Sequence, residues 1–217
     1  MATHLLLHGI GVPGRPLEPG EADVWISPAQ MHGILDVVAE AAVGISVDDG
    51  NASDVDVLLP ALVDRGLRAT FFPIAGRTNT PGSLSESAIR ELRDAGMNVG
   101  THGMHHRPWR RLDASALHEE LVVARKALED LLGERVVSAA CPLGAYVRRT
   151  LRVLRQLEYQ RVYTSDSGSN RPQAWLQART SARRWDDASS IHAAVVAPAP
   201  FRKRSITAAK RLIKRLR

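Results

Sequence analysis

The chain has 217 residues and a mass of 23.7 kDa, the size of one ordinary domain with at most a short appendage. Hydrophobic residues make up 44% and charged residues 24%, a balance that excludes global disorder. The single cysteine, Cys141, excludes an internal disulfide framework and a thiolate zinc cluster. No apolar run approaches a membrane span, and the N-terminus lacks a basic secretory region, so we expect a cytoplasmic protein.

The basic charge is concentrated at the C-terminus. The formal net charge is +6, with 29 Lys and Arg against 23 Asp and Glu. Residues 202–217 hold eight of these basic residues and no acidic one, which leaves 21 basic against 23 acidic residues elsewhere. The predicted organisation is one domain over 1–200 followed by a basic tail over 201–217. Because the body has no basic stripe with interleaved aromatics, nucleic-acid binding is not expected.

Short apolar runs alternate with helical patterns along the body. In chain order, we predict a strand over 3–8, a helix over 27–39, a strand over 43–47, a helix over 54–63, a strand over 69–73, a helix over 85–96, a strand over 97–100, a helix over 114–132, a strand over 136–140, a helix over 146–157 and a strand over 161–163. This alternation indicates βα units and a parallel sheet. The α/β fold is then a small or incomplete (β/α) barrel, with an open doubly wound sheet as the alternative. In both folds, functional groups lie at the C-terminal ends of strands.

Residues able to do chemistry follow four predicted strands. They are His8, the pair Asp48 and Asp49, the histidines His102, His105 and His106, and the run 142–144. An i, i+4 spacing places His102 and His106 on one face of a helical turn, close enough to bind one ion. A carboxylate from another strand end would complete a His₂–carboxylate triad, typical of hydrolytic zinc sites. Of the adjacent aspartates, one could bind metal while the other acts as a base.

Three runs carry a family resemblance: 45–50 (ISVDDG), 100–106 (GTHGMHH) and 140–144 (ACPLG). The first resembles the T-F-D-D-G motif of the NodB-homology polysaccharide deacetylases, carbohydrate esterase family 4. The second resembles their H-[ST]-x-x-H motif, and the third a degraded form of R-x-P-[FY]-G. The order and spacing agree with the family, and the resemblance covers residues 3–165.

The resemblance implies a distorted (β/α)₇ barrel that hydrolyses N-acetyl, less often O-acetyl, groups of a sugar or glycan. It implies Asp48 as the general base. It also implies Asp49, His102 and His106 as ligands of a divalent metal, usually zinc. The metal would polarise the acetamide carbonyl and lower the pKa of the attacking water. The backbone N–H of Leu143 would stabilise the oxyanion.

Further roles are assigned with alternatives left open. Trp109 is a candidate for stacking on a sugar ring, with ordinary packing as the alternative, and Pro142 of the third motif is a candidate substrate contact. His8 is the candidate catalytic acid, with a core-edge histidine as the alternative. His192 matches the family's late L-H-D motif poorly.

Three departures from the motifs favour another function. Ala140 stands where the family has an arginine that orients the base, Gly103 where it has a hydroxyl, and Leu143 where it has an aromatic residue. The alternative is a catalytically impaired pseudoenzyme that acts as a glycan-binding or interaction module. A metal hydrolase acting on another small amide is the third hypothesis.

The tail 202–217 has the pattern of a basic amphipathic helix. Ile206, Ala209, Leu212 or Ile213, and Leu216 share one face at helical spacing, and basic residues fill the remainder. This pattern predicts peripheral binding to an anionic membrane at its inner face, with a solvated tail as the alternative. The substrate would then include lipid-linked glycans.

Overall fold

The computed structural model describes residues 3–41, 43–197 and 214. The strands in this part of the chain are β1 (Thr3–Leu7), β2 (Val43–Asp49), β3 (Ala69–Pro73), β4 (Asn98–Val99), β5 (Ser138–Ala140), β6 (Arg161–Thr164), β7 (Leu176–Ala178) and β8 (Thr180–Ser181). The α-helices are α1 (Pro28–Ala39), α2 (Leu59–Asp64), α3 (Glu86–Asp94), α4 (Ala114–His118), α5 (Ala124–Leu132), α6 (Arg148–Gln156) and α7 (Ala188–Ile191). Short π-helical turns precede α2, join α4 to α5 and extend α7.

The strands form two parallel sheets that together make a distorted barrel. Their orders are β4-β3-β2-β1-β8 and β5-β6-β7. A parallel bridge between Thr101 and Ala139 joins the sheets on one side. On the other side only Arg179 separates β7 from β8, so the chain itself passes from one sheet to the other. The predicted α/β barrel with parallel strands is confirmed.

Alternation along the strands separates the helix-facing core from the barrel interior. Ile45 and Val47 of β2 pack with Phe71 of β3 in the core formed with the helices. Ser46 and Asp48 point the other way because successive residues of a strand face opposite sides. The interior that they enter also contains a small apolar cluster that includes Phe72 and Tyr163. A polar site at the C-terminal edge of β2 is therefore built directly above packed aromatic rings.

Local sequence signals account for α1, the helix whose predicted bounds agree best with the structure. The Ser27 hydroxyl accepts a hydrogen bond from Gln30 N, the side-chain oxygen of Gln30 accepts one from Ser27 N, and Pro28 occupies the first turn. The predicted helix over 114–132 is present as α4 and α5 with the π turn between them. The strands β7 and β8 were not predicted, because the polar residues Gln177 and Arg179 leave no apolar run between residues 176 and 181.

The tail stays a prediction. Residues 198–213 and 215–217 lie outside the described residues, so neither the domain boundary at 200 nor the amphipathic helix is tested. In the described part of the chain, no helix combines the length and apolar character needed to cross a bilayer.

Candidate active site

Asp49, His102 and His106 meet at the C-terminal ends of β2 and β4. The Nε2 atoms of both histidines lie 3.6 Å from Asp49 Oδ1, and one ligand atom of each residue falls within 4.8 Å of the others. Asp49 Oδ1 is buried and has no hydrogen-bond partner among the described residues. Tetrahedral coordination with bonds of about 2.0–2.2 Å separates ligand atoms by about 3.3–3.6 Å. The three donors therefore fit a divalent cation.

The two histidines are brought together by a loop, so the predicted helical turn is wrong. Residues 102–108 contain no helix, and both Gly103 and His106 have left-handed backbone, with φ of 85° and 57°. The two left-handed residues reverse the chain so that the imidazole centroids lie 5.1 Å apart. The donors thus converge through a conformation that residue spacing alone does not predict.

A buried carboxylate holds this loop in place. Glu120, in the π turn between α4 and α5, accepts hydrogen bonds from Met104 N at 3.0 Å and His105 N at 3.1 Å. It also accepts from Arg107 Nε at 2.8 Å and from Trp109 Nε1 at 3.4 Å. A Cβ on residue 103 would overlap the Glu120 carboxylate, so glycine is required there. Glu120 thus braces the loop where the motif's hydroxyl is missing.

One feature of the sequence could have pointed to Glu120. The buried face of the predicted helix over 114–132 contains Leu117, Leu121 and Ala124, and Glu120 falls within that apolar stripe. A carboxylate on an apolar stripe must find buried donors, because leaving it unpaired costs several kcal/mol, roughly.

Hydrogen bonds to the Nδ1 atoms orient both imidazoles. His102 donates from Nδ1 to Ala140 O at 2.9 Å, and His106 donates from Nδ1 to a Glu18 carboxylate oxygen at 2.8 Å. Both rings therefore point Nε2 toward Asp49. Burial lowers the pKa of His102 to about 4, against the opposing charge of Asp48, so this ring is neutral at neutral pH. Such outer hydrogen bonds are typical of metal-binding histidines.

Glu18 belongs to the loop that joins β1 to α1 and reaches the site from 88 positions away. It also forms an ion pair with Arg77, which follows β3. In the same loop, Arg15 pairs with Glu21 and donates to Asn51 Oδ1 at 2.8 Å. These contacts fix the loop beside the site. No sequence pattern points to Glu18, because nothing in its local context distinguishes it from a surface glutamate.

The second aspartate, Asp48, forms a buried two-point ion pair with Arg179. The distances are 2.6 Å from Nη1 to Oδ1 and 2.7 Å from Nη2 to Oδ2. Arg179 is fully buried, and it also donates to Ser46 Oγ and Thr164 O. Burial alone would raise the pKa of Asp48, but the Arg179 charge outweighs burial, with help from His102, and lowers the pKa to about 2. Asp48 is therefore ionised at neutral pH.

Arg179 enters the barrel from a different strand than the arginine expected from the third motif. Ala140, at the motif position, is fully buried and offers only its carbonyl to the site. Arg179 sits at the break between β7 and β8, where the turn of the chain directs its side chain inward. No motif marks it, and no apolar run predicts the strands on either side of it.

His8 and Leu143 are the remaining catalytic candidates. His8 follows β1 one step beyond the Leu7–Val47 pair, so it adjoins Asp48, and its Nδ1 is buried without a partner among the described residues. Leu143 lies in the turn Pro142–Gly144 with a φ of 55° and a side chain that is 67% exposed. The roles of His8 and of the Leu143 N–H stay predictions.

One assignment to substrate is wrong. Trp109 is 1% exposed and packs in a core cluster with Leu117 and Tyr146, so it cannot stack on a sugar. Its packing alternative is the correct one. Pro142 is also buried, at the start of the turn 142–144, and its contact with substrate stays a prediction. His105 points away from the donors and pairs with Glu119 at 3.0 Å.

Known proteins share this sequence pattern. The family model described as Polysaccharide deacetylase matches residues 37–162, a span that contains all three motifs. The Bacillus subtilis (strain 168) protein named "Putative polysaccharide deacetylase YxkH" is 24% identical over 155 residues, which is 71% of this chain and 53% of that protein. The chain therefore spans about half the length of this curated relative.

Solved structures share the fold. The Streptococcus pyogenes deacetylase PplD, in complex with acetate, matches with a TM-score of 0.79 at 19% identity, over 90% of this chain and 98% of PplD. IcaB from Ammonifex degensii matches with a TM-score of 0.73 at 21% identity, over 88% of this chain and 95% of IcaB. At these identities, the matches establish the barrel.

Removing the brace should unfold the histidine loop. We expect Glu120→Ala to lower the free energy of unfolding by about 3 kcal/mol or more, because several buried donors lose their acceptor. Glu119→Ala, which removes an exposed neighbouring carboxylate, is the matched control and should change stability by about 0.5 kcal/mol at most. Equal urea unfolding midpoints for the two variants would show that Glu120 does not brace the loop.

Removing the Glu18 carboxylate should weaken the metal site without destroying it. We expect His102→Ala and His106→Ala to lose the metal. Glu18→Ala should raise the metal dissociation constant by about 10–100-fold, because His106 loses the acceptor that orients its ring. The measurement is competition for one equivalent of zinc against a chromophoric chelator.

Two controls separate this effect from general damage. His105→Ala removes a histidine of the same loop as His106 that does not face the donors. Asp23→Ala removes a half-exposed carboxylate between β1 and α1 that contacts Arg184 and not Glu18. Both should bind zinc as the wild type does. If Glu18→Ala binds zinc as tightly as Asp23→Ala, Glu18 has no part in orienting His106.

Proposed function

The chain belongs to the polysaccharide deacetylase family, whose model matches more than half of its length, and we propose that it is a metal-dependent hydrolase that removes N-acetyl or O-acetyl groups from a sugar or glycan. The observation that supports this best is the ionised Asp48, held by Arg179 directly beside the donors Asp49, His102 and His106. His102 Nε2 lies 3.6 Å from both aspartates, so the base and the donors share one space.

We propose zinc as the cation that the three donors hold. When bound, it would supply Lewis-acid polarisation of the acetyl carbonyl and a lowered pKa for water. The donor set of two imidazoles and one carboxylate is typical of hydrolytic zinc sites and leaves room for substrate. Asp49 contributes the only negative charge among the three donors.

Asp48 would act as the general base. It takes a proton from the water that attacks the acetyl carbon, while Arg179 fixes both carboxylate oxygens. Because a carboxylate with a pKa of about 2 is a weak base, this step suits only a water that is already acidified. The C–N or C–O bond of the acetyl group then breaks, giving acetate and a free amine or hydroxyl.

Two proposed roles complete the reaction. His8 adjoins Asp48 and would deliver the proton to the departing nitrogen or oxygen. The N–H of Leu143 would donate to the oxygen of the acetyl carbonyl as charge develops there. The neighbouring amides of Gly144 and Ala145 are occupied within the turn, by Cys141 O and Pro142 O. The turn is thus held in one conformation, as a preorganised donor requires.

The chief reason for the pseudoenzyme alternative was the missing arginine at Ala140. Arg179 supplies an equivalent charge to Asp48, so that reason no longer holds. The substitutions at Gly103 and Leu143 still favour the alternative, and turnover decides between the two functions. The identity of the sugar, the predicted link to lipid-borne glycans and the cytoplasmic location stay predictions.

Acetate release tests the proposed function. The zinc-loaded protein should release acetate from members of a panel of N-acetylated and O-acetylated sugars and oligosaccharides. Asp48→Asn should reduce kcat by about 10²–10⁴-fold while keeping one zinc per chain, because it removes the base and leaves the three donors. The measurements are acetate release and elemental analysis on the same samples.

The outcomes separate the candidate functions. Equal kcat for wild type and Asp48→Asn would remove Asp48 as the base. A zinc-loaded wild type that releases acetate from no substrate would favour the pseudoenzyme. Release from small nucleotide-linked or simple amides, but from no oligosaccharide, would favour the small-amide hydrolase.

The pH profile tests Arg179 as the residue that positions the base. Asp48 must be ionised, so activity falls as the pH drops through its pKa. Arg179→Met removes the charge that lowers this pKa, and burial then raises it, so the acid limb of kcat/KM should move to higher pH by at least about one unit. Arg179→Lys keeps a charge and should shift the limb less. An unmoved acid limb in an active Arg179→Met variant would contradict this role.

A further inference from the structure

The flank of the barrel carries an arginine-lined groove that the proposed reaction does not use. It has a volume of about 480 Å³ and is lined by Arg148, Leu151, Arg152, Arg155, Ala174, Trp175 and Leu176. One wall is α6 and the other is the segment that leads into β7. The three arginines follow each other at i, i+4 and i+7, so they share one face of α6 and span about 10 Å.

In the described part of the chain, these arginines have no paired counter-charges. Among the described residues, none of Arg148, Arg152 and Arg155 forms an ion pair, and α6 contains no acidic residue. The arginines Arg90 and Arg125, on other helices, each pair with a glutamate four positions away. Three exposed like charges at this spacing repel one another, which destabilises the free protein slightly. An anionic ligand would relieve that repulsion.

The groove also has an apolar and aromatic component. The Arg155 guanidinium lies 3.8 Å from the ring centroid of Trp175, which holds this arginine against the groove wall. Leu151 and Trp175 are partly exposed beside it. An indole and a leucine next to cationic groups are typical of protein surfaces that lie at the headgroup level of a bilayer.

We infer that this groove binds the phosphate groups of an anionic membrane surface. The inference goes beyond the proposed function and does not rest on it. The planar guanidinium groups match phosphate oxygens in pairs. Like charge disfavours the chain's own C-terminal segment as the occupant, because residues 202–217 hold eight basic residues and no acidic one, and Lys214 contacts Gly144 O and Asp166 outside the groove. That segment instead adds charge of the same sign.

The position of the groove favours a surface over a small ligand. It opens on the outside of the barrel, and α6 begins four residues after Gly144, the last residue of the turn that carries the exposed Leu143. Docking α6 on a bilayer therefore brings this turn, at the rim of the active site, close to the lipid. Residues 1–201 carry a formal net charge of −2, so attraction depends on this face and not on the body as a whole.

Vesicle binding tests the inference with the full chain. The probe is sedimentation with vesicles containing about 30% phosphatidylglycerol in phosphatidylcholine, beside pure phosphatidylcholine. The triple variant Arg148→Gln, Arg152→Gln, Arg155→Gln should bind the anionic vesicles about 100-fold more weakly, because each basic residue contributes about fivefold. Neither protein should bind pure phosphatidylcholine.

A matched variant controls for net charge. Arg68→Gln, Arg90→Gln, Arg183→Gln removes three exposed arginines that lie outside the groove, and it should bind anionic vesicles nearly as the wild type does. Equal weakening by the two triple variants would overturn the inference. Zinc content and the urea midpoint show whether each variant is folded. If the triple variant does not fold, Arg152→Glu alone replaces it and should lower the affinity for anionic vesicles by at least about tenfold.

Two further outcomes assign the binding elsewhere. Deleting 202–217 should weaken vesicle binding, and the groove substitutions should weaken it further in that background. If the deletion alone reduces binding to the level of neutral vesicles, the tail accounts for it and the inference fails. If the groove variant loses binding to heparin but keeps full binding to vesicles, the groove recognises a soluble acidic polymer instead.

Discussion

The buried ion pair between Asp48 and Arg179 is the interaction on which the rest of the structure depends. It crosses the barrel from β2 to the break between β7 and β8, where hydrogen bonding between the two sheets is interrupted. Burying two charges is expensive unless their remaining polar atoms are satisfied. Arg179 meets this condition through Ser46 Oγ and Thr164 O. The pair therefore closes the barrel and keeps the proposed base ionised, so fold and chemistry share one contact.

A second constraint is the backbone strain gathered at the site. Asp49, His106 and Leu143 all have left-handed φ values, of 80°, 57° and 55°. Each such residue costs on the order of 1 kcal/mol, and it persists only where its surroundings leave no alternative. For His106, two carboxylates outside the donor set impose that limit: Glu120 binds the amides of the histidine loop, and Glu18 binds the ring of His106. The order of the site thus comes from buried hydrogen bonds around it.

The difference between the site residues and the residues that hold them in place explains how much could be predicted from the sequence. The βα units followed from alternating apolar runs, and the choice of a barrel over an open sheet followed from the family resemblance. Asp48, Asp49, His102 and His106 became candidates as polar residues at strand ends, because these signals are local. The residues that hold them are distant in sequence: Glu18 is 88 positions from His106, and Arg179 is 131 positions from Asp48. No spacing rule covers such pairs. The helical turn failed for the same reason, since a distant carboxylate decides the loop's conformation.

Steric packing explains why a small residue, Ala140, accompanies the buried Arg179. The barrel interior beside Asp48 is occupied by the Arg179 guanidinium, which lies 5.5 Å from the ring centroid of Phe72 and 5.7 Å from that of Tyr163. A long side chain at position 140, which packs against the same two rings, would compete for this space. A small residue at 140 is therefore what an arginine supplied from the β7–β8 break requires. The motif arginine is absent at position 140, and Arg179 supplies the charge opposite the base.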